Sequence, residues 1–155
     1  MAAAPLREAA RVIVLDNDQR VLLLRYDENE GFWATPGGSL ETGETYTAAA
    51  LRELHEELGI DTTSVVLGTQ LAERSQEHAV GGREVRQVER YFPAHLTAAD
   101  VDASLATQPD NIREHRWWTL DELRATHETV YPLGLADLTT DYIRNGVPDR
   151  PVVLL

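Results

Sequence analysis

The sequence predicts an α/β fold of the α+β kind, an α/β/α sandwich on a mixed β-sheet. Strand-like and helix-like segments are interspersed without regular strand–helix alternation, which argues against a doubly wound parallel sheet. Arg11–Tyr26 reads as two apolar strands about a polar turn, and Thr45–Leu58 has the period of an amphipathic helix. At 155 residues the chain predicts one domain, 1–155, large enough to close a core without staples.

Taken in order, Asp16-Asn17-Asp18-Gln19 is the turn of a predicted hairpin, Asp27–Gly31 is a charged loop, and Phe32–Ala34 is a short strand stopped by Pro36-Gly37-Gly38. The helix over Thr45–Leu58 has Glu44 near its positive end and Gly59 where a C′ glycine belongs. Val65–Glu73 and Glu84–Leu96 read as strands joined through Gly81-Gly82, and Ala98–Asn111 as a surface loop with room for one helical turn. Arg116–Trp118 is a short strand. Thr119 and Glu122 form a capping-box pattern for a helix over Leu120–Thr126, and a last helix runs from Leu133 to Asn145, ended by Gly146 and Pro148. The apolar tail Pro148–Leu155 reads as a packed or frayed terminus, with pairing to a sheet edge or to a second subunit as alternatives.

Composition narrows the function. With no cysteine, disulfides, thiolate metal sites and a cysteine nucleophile are excluded, which fits a cytoplasmic protein. The longest apolar runs are far short of the ~20 residues a membrane span needs, and residues 1–11 lack the apolar stretch of a signal peptide. A net charge of −12 gives no electrostatic help in binding nucleic acid or anionic membrane. The expected partner is therefore a small molecule. If it carries phosphates, something must reverse the local sign.

The helix supplies a candidate. With Leu51 at zero and ~100° per residue, Leu54 and Leu58 fall near 300° and 340°, while Glu53, Glu56 and Glu57 fall near 200°, 140° and 240°. The glutamates thus form one carboxylate patch directed away from that leucine stripe. Such charges at ~6 Å repel by about 1–3 kcal/mol per pair, and Arg52 alone does not balance them. A hard divalent cation does. A glutamate-rich helix face taken alone is more commonly just solvated; its context is more specific.

That context is Gly38, Glu44, then Arg52-Glu53-Leu54-His55-Glu56-Glu57-Leu58-Gly59-Ile60. It resembles the Nudix box, GX5EX7REUXEEXGU with U a bulky aliphatic, over residues 38–60, and each fixed position matches. A chance match is on the order of 10⁻⁷ at ordinary residue frequencies. The flanking Leu22–Arg25, Phe32–Gly38 and Glu114–Leu123 are also similar to the family, so the resemblance covers about Arg11 to Leu123.

The resemblance implies a MutT-like, Nudix-type α/β/α sandwich that hydrolyses a diphosphate linkage with Mg²⁺, or Mn²⁺ in its place. It implies Glu53, Glu56, Glu57 and a carbonyl of Gly37 or Gly38 as metal ligands and Arg52 as their orienting cation. Glu44 would brace the loop or hold metal through water. The base varies among subfamilies: Glu53 is the first choice, Glu114 in the loop before Trp117 the second, and Glu89 a third candidate for ligand or base. Arg25 and Arg90 are candidate substrate cations. Trp33, Phe32 and Tyr91 are candidate stacking groups, although aromatics so placed more often belong to a core. His55 is read as exposed.

The expected substrate is a nucleoside diphosphate linked to another moiety, since no mark of the coenzyme A, NADH or ADP-ribose subfamilies is present. A homodimer is admitted by the family without separate support in the chain. Isopentenyl diphosphate isomerase shares the fold but relies on a cysteine that is absent here. The alternative from another class is a non-hydrolysing nucleotide-binding regulatory module, which the complete set of box carboxylates opposes.

Overall fold

The computed structural model describes residues 5–80, 82–107 and 112–155. Among these, nine strands form one mixed sheet. They are β1 (Leu6–Leu15), β2 (Val21–Tyr26), β3 (Phe32–Ala34), β4 (Gly37–Ser39), β5 (Ala72–Val80), β6 (Arg83–His95), β7 (Ile112–Trp118), β8 (Val130–Tyr131) and β9 (Val152–Leu154). The helices are α1 (Tyr46–Leu58), α2 (Leu120–Ala125) and α3 (Leu135–Asn145). The main strand order is β8-β3-β2-β1-β6-β5-β9, with β4 beside β1 and β7 beside β2.

The central strand β1 starts at Leu6, inside the segment that the sequence left without structure. It runs parallel to β6 from Leu6↔Arg86 to Leu15↔His95. Its other edge is divided. Leu15 pairs with Val21 of β2, and Ala9 to Arg11 pair with Ser39 to Gly37 of β4. The expected hairpin is thus a corner where two strands meet at one pair and diverge. Buried Asp16 fixes that corner by accepting from the backbone N–H groups of Asp18 (2.9 Å) and Arg20 (2.8 Å) and from Arg20 Nε (2.7 Å).

Two cores lie on opposite faces of the sheet. Val12, Val14, Leu22, Leu24 and Phe92 pack with Ala50, Leu54 and Leu58 of α1. Ile13, Leu15, Leu23, Tyr91 and Trp118 pack with Leu135 and Leu138 of α3. Strand alternation assigns each residue to its face, and both faces are covered, as the predicted sandwich requires. No helix among the described residues is long and apolar enough to cross a membrane.

Several boundaries differ from the sequence reading. Gly37 and Gly38 form a strand rather than a stop, because side-chain-free backbone lies flush against β1. Val65–Glu73 is mostly not strand. Leu67 makes one bridge to Ala94, Gly68 sits against Pro93, and regular pairing begins at Ala72. Ala98–Asp100 and Ala103–Leu105 are two short 3₁₀ turns, while Asn111 of the predicted loop lies outside the described residues. Gly81 of the predicted Gly81-Gly82 turn also lies outside them. The strand around Trp117 extends back to Ile112. Thr119 and Glu122 form the expected capping box. The tail takes the alternative of sheet-edge pairing: Val152 to Leu154 run parallel to Ala72 to Arg74.

Helix α1 carries the box, and its ends are fixed locally. Thr45 accepts from the N–H of Ala48, and Gly59 closes the helix at φ 65° with its N–H on His55 O. A Cβ at Gly59 would sit 2.0 Å from Asp102 O. Gly59→Ala should therefore destabilise the protein by on the order of 2–3 kcal/mol, through left-handed strain and the clash together. Equilibrium urea unfolding checks this, and a midpoint matching the native protein would contradict it.

Candidate functional site

The buried residues of α1 are Ala49, Ala50, Glu53, Leu54 and Leu58. With Ala49 at zero, Glu53, Glu57, Ala50 and Leu54 fall near 40°, 80°, 100° and 140°. Glu53 and Glu57 therefore lie within the arc that meets the sheet, and the sequence placement of all three glutamates away from the packed face is corrected. Leu51 is only half-buried and lies off this arc. The alanine pair, being small, lets the helix approach the sheet on that side.

Each carboxylate has a defined partner. Glu53, 8% exposed, lies over Gly38, where an added Cβ would be 2.5 Å from Glu53 Oε1. Arg52 Nη1 donates to both Glu53 Oε1 (3.1 Å) and Glu56 Oε2 (3.0 Å). Its Nε and Nη2 fork onto Glu44 at 2.8 and 2.9 Å, and Nη2 also donates to Ser39 O. Glu57 accepts from the Gly37 N–H at 2.8 Å and from the Tyr26 hydroxyl at 2.9 Å. Four carboxylates thus share one arginine.

The charge imbalance appears in the titration. Burial, reinforced by Glu53, pushes the Glu57 carboxyl up to about 7. Burial also raises Glu53, with Arg52 opposing. Hydrogen bonds from Arg52 hold Glu44 below the usual carboxylate range. Arg52 itself is raised, chiefly by its hydrogen bonds to Glu44.

Beside this group, across Gly37, lies a cavity of roughly 360 Å³. Its walls include Phe32, Tyr91 and Tyr131, with Arg11, Arg74 and Glu89 as charged groups. Arg11 donates to Gly37 O (3.1 Å), Thr35 O (3.4 Å) and Glu89 Oε2 (2.9 Å). Glu89 is 6% exposed and also accepts from Arg74 Nη1 at 3.2 Å. Burial opposes the Arg11 charge, but Glu89 outweighs it and raises its pKa. Gly37 is therefore the junction: its N–H serves Glu57, and its carbonyl serves Arg11.

The other nominated residues fall elsewhere. Glu114 is exposed and lies on β7, not in a loop. It is paired with Arg25 of β2, and alternation puts both on the Trp118 side of the sheet, opposite α1. Arg25 is taken up by Glu128 at 2.9 Å and lies 5.7 Å from the Trp33 ring. Trp33 is 3% exposed and packs edge-on against Trp118, so it belongs to the core. Arg90 lies over the Tyr46 ring at 4.3 Å, on the α1 side. His55 is exposed.

Arg11, Tyr26 and Arg74 meet the site without having been singled out in the sequence as its contributors. Arg11 is a charged residue at the head of a buried apolar strand, and that was a usable signal. Tyr26 and Arg74 gave none, because strand register brings them in.

Among the described residues, no three histidine, aspartate or glutamate side chains already converge on one point. Arg52 holds Glu53 and Glu56, and Tyr26 with Gly37 holds Glu57. The donor set nevertheless fits a hard divalent cation. It is all oxygen, it carries more negative charge than Arg52 neutralises, and two of its carboxylates already meet on one cationic nitrogen, Arg52 Nη1.

A mixed sheet between helices, with a glutamate-bearing helix seated on a Gly-Gly strand, defines the Nudix class of α/β sandwich. The model of the NUDIX domain matches residues 5–137. The chain is 34% identical over 128 residues to an RNA pyrophosphohydrolase of Erythrobacter litoralis, covering 76% of this chain and 78% of that one. It is 29% identical over 130 residues to the RNA pyrophosphohydrolase of Rhodospirillum rubrum, covering 80% and 79%. The fold is similar to that of the MutT protein from Methanosarcina mazei, with a TM-score of 0.67, 22% identity, and 93% and 97% of the two chains covered. The chain belongs to the NUDIX family and is an enzyme of its pyrophosphohydrolase type. Enzymes of this family generally use divalent metal ions.

A raised carboxyl makes a pH prediction for the metal-free protein. Glu57 binds its proton more tightly folded, at about 7, than unfolded, near 4.5. Its stabilising contribution is therefore complete below the unfolded value and lost as pH rises through the folded one. Chemical denaturation in EDTA should show the native protein losing about 1–3 kcal/mol more than Glu57→Gln between pH 4.5 and 8. Parallel pH curves for the two would contradict the assignment.

Proposed function

We propose that the chain is a Mg²⁺-dependent hydrolase, with Mn²⁺ able to substitute, that cleaves the pyrophosphate linkage of a nucleoside diphosphate joined to a second group. We further take it to work in the cytoplasm as one domain over residues 1–155. The observation carrying this is the meeting, at Gly37, of the α1 carboxylates with a cavity that bears two arginines and three aromatic rings.

Glu53, Glu56, Glu57 and the Gly38 carbonyl would hold the cation. When bound, such an ion neutralises the diphosphate and lowers the pKa of coordinated water. The other roles belong to the chain. Arg52 keeps Glu53 and Glu56 ionised and directed to one point. Water attacks one phosphorus in line, the bridging P–O bond breaks, and the other phosphate leaves with its electron pair. The water proton passes to Glu53, the base proposed on its position over Gly38. Glu114 is disfavoured as the base, since strand alternation turns it to the other face. Arg11 and Arg74 oppose the substrate's negative charge, and Phe32 and Tyr131 offer ring faces to a base. A net charge of −12 makes this local reversal necessary.

A second reading, action on a pyrophosphate linkage of RNA, is favoured by the name carried by the relatives. The acidic surface works against it, because RNA affinity rests largely on neutralising many phosphates. The non-hydrolysing regulatory module is opposed by the full box.

A panel of nucleoside triphosphates, nucleotide sugars, dinucleoside polyphosphates and an RNA with a 5′ triphosphate end, assayed with Mg²⁺ for released phosphate and nucleotide, separates these readings. Turnover is expected with one or more small nucleotides. Turnover of RNA alone would replace the first reading with the second, and binding without turnover throughout would leave the module. On the preferred substrate, Glu57→Gln should lower kcat by roughly 10²-fold or more with an unchanged circular dichroism spectrum. EDTA should abolish turnover, and added Mg²⁺ or Mn²⁺ should restore it; chelator-resistant hydrolysis would exclude the metal-dependent mechanism.

A further inference from the structure

We infer that Tyr26 is a positioning residue for this reaction: its hydroxyl fixes the Glu57 carboxylate, and its ring ties that carboxylate to the aromatic wall of the cavity. The inference rests on the reading of Glu57 as a metal ligand.

Tyr26 ends β2, on the face that carries fully buried Leu22 and Leu24. Packing there asks only for an apolar side chain, and leucine or phenylalanine would continue the alternation. What tyrosine adds is the hydroxyl, and it donates to Glu57 Oε2 at 2.9 Å. The second donor to Glu57 is the Gly37 N–H on Oε1 at 2.8 Å. Each oxygen thus receives one donor, which sets the carboxylate plane and leaves lone pairs for a cation. The backbone donor is held by the β1–β4 pairing, so Tyr26 is the adjustable one.

The ring has its own constraint. The β2–β3 register sets Tyr26 opposite Phe32, and the two rings stack at 5.3 Å and 16°. Phe32 in turn meets Tyr131 edge-on at 5.6 Å, and Arg74 lies 5.9 Å from the Tyr131 ring. Phe32, Tyr131 and Arg74 all line the cavity. One contiguous series of contacts therefore leads from the cavity wall to Glu57. A tyrosine that merely satisfied its own buried hydroxyl would show the same hydrogen bond, so metal binding has to decide.

The test compares Tyr26→Phe, Phe32→Leu and Glu57→Gln with the native protein. Mn²⁺ binding is titrated by electron paramagnetic resonance, and kcat and KM are measured on the substrate identified by the panel. Circular dichroism and Tm monitor the fold. Y26F is expected to bind Mn²⁺ about 10-fold more weakly and to lose a similar factor in kcat, with KM within about twofold of native. Mn²⁺ binding and kcat within twofold of native in Y26F would overturn the inference. F32L keeps the hydroxyl but removes its stacking partner. It should weaken Mn²⁺ binding several-fold, native binding would refute the tie to the cavity wall, and it serves as the probe if Y26F does not fold. E57Q separates the two levels. If E57Q binds Mn²⁺ as the native protein does, the ligand reading itself fails; if E57Q loses Mn²⁺ while Y26F keeps it, only the role of Tyr26 falls.

Discussion

Gly37 has no room for a side chain. Its φ is 144°, and a Cβ would lie 2.1 Å from Ala10 O and 2.8 Å from the Arg11 Cα. That closeness lets β4 pair with β1 at Ala10 and Arg11, which brings the Gly37 N–H to Glu57 and its carbonyl to Arg11. Gly38 makes the same allowance one residue on, where Glu53 occupies the space a Cβ would take. Two adjacent glycines thus set how near the acidic helix comes to the strand and to the arginine behind it. Any larger residue at either position would push the carboxylates off the sheet before their chemistry came into question.

The charges divide across this junction in a consistent way. On the helix side, Arg52 serves Glu44, Glu53 and Glu56, and Glu57 has only neutral donors. On the cavity side, buried Glu89 is shared by Arg11 and Arg74. One side therefore holds surplus negative charge and the other surplus positive charge. A phosphate group lying between them meets a cation's complement on one hand and direct counter-charge on the other. A carboxylate buried with no cation of its own is costly, and the raised Glu57 pKa is the response available without metal. The same imbalance that makes Glu57 reluctant to ionise makes a divalent ion favourable beside it.

What was legible in the sequence was whatever local chemistry fixes. The box helix, its Thr45 and Gly59 ends, the Thr119–Glu122 cap and the Asp16 turn all depend on residues within four or five positions of one another. The existence of two cores followed from composition and patterning. The packed arc of α1 was misjudged because hydrophobicity singled out Leu51, whereas the sheet selects the small Ala49 and Ala50. Closeness of approach, not apolar mass, decided which side went inward. Arg11, Tyr26 and Arg74 enter through pairings between residues 24 to 78 positions apart, and no local pattern carries that. The tail strand β9 belongs with them, since its partner β5 lies far off in sequence.

The two aromatic neighbours Phe32 and Trp33 show how narrow that margin is. In sequence they are equal candidates to meet a substrate ring. Register alone separates them: Phe32 stands opposite Tyr26 and Trp33 opposite Arg25. Because side chains alternate along a strand, Phe32 joins the wall of the cavity, and Trp33 goes into the core against Trp118. Arg25 follows Trp33 to that far face, and Glu114, its partner on β7, goes with it. A slip of one residue in the β2–β3 pairing would exchange these assignments and send Tyr26 away from Glu57. The site therefore depends on the same register that keeps the two cores dry, and the energy of burying Leu22 to Leu24 on both sides of β2 is what holds Tyr26 at the carboxylate.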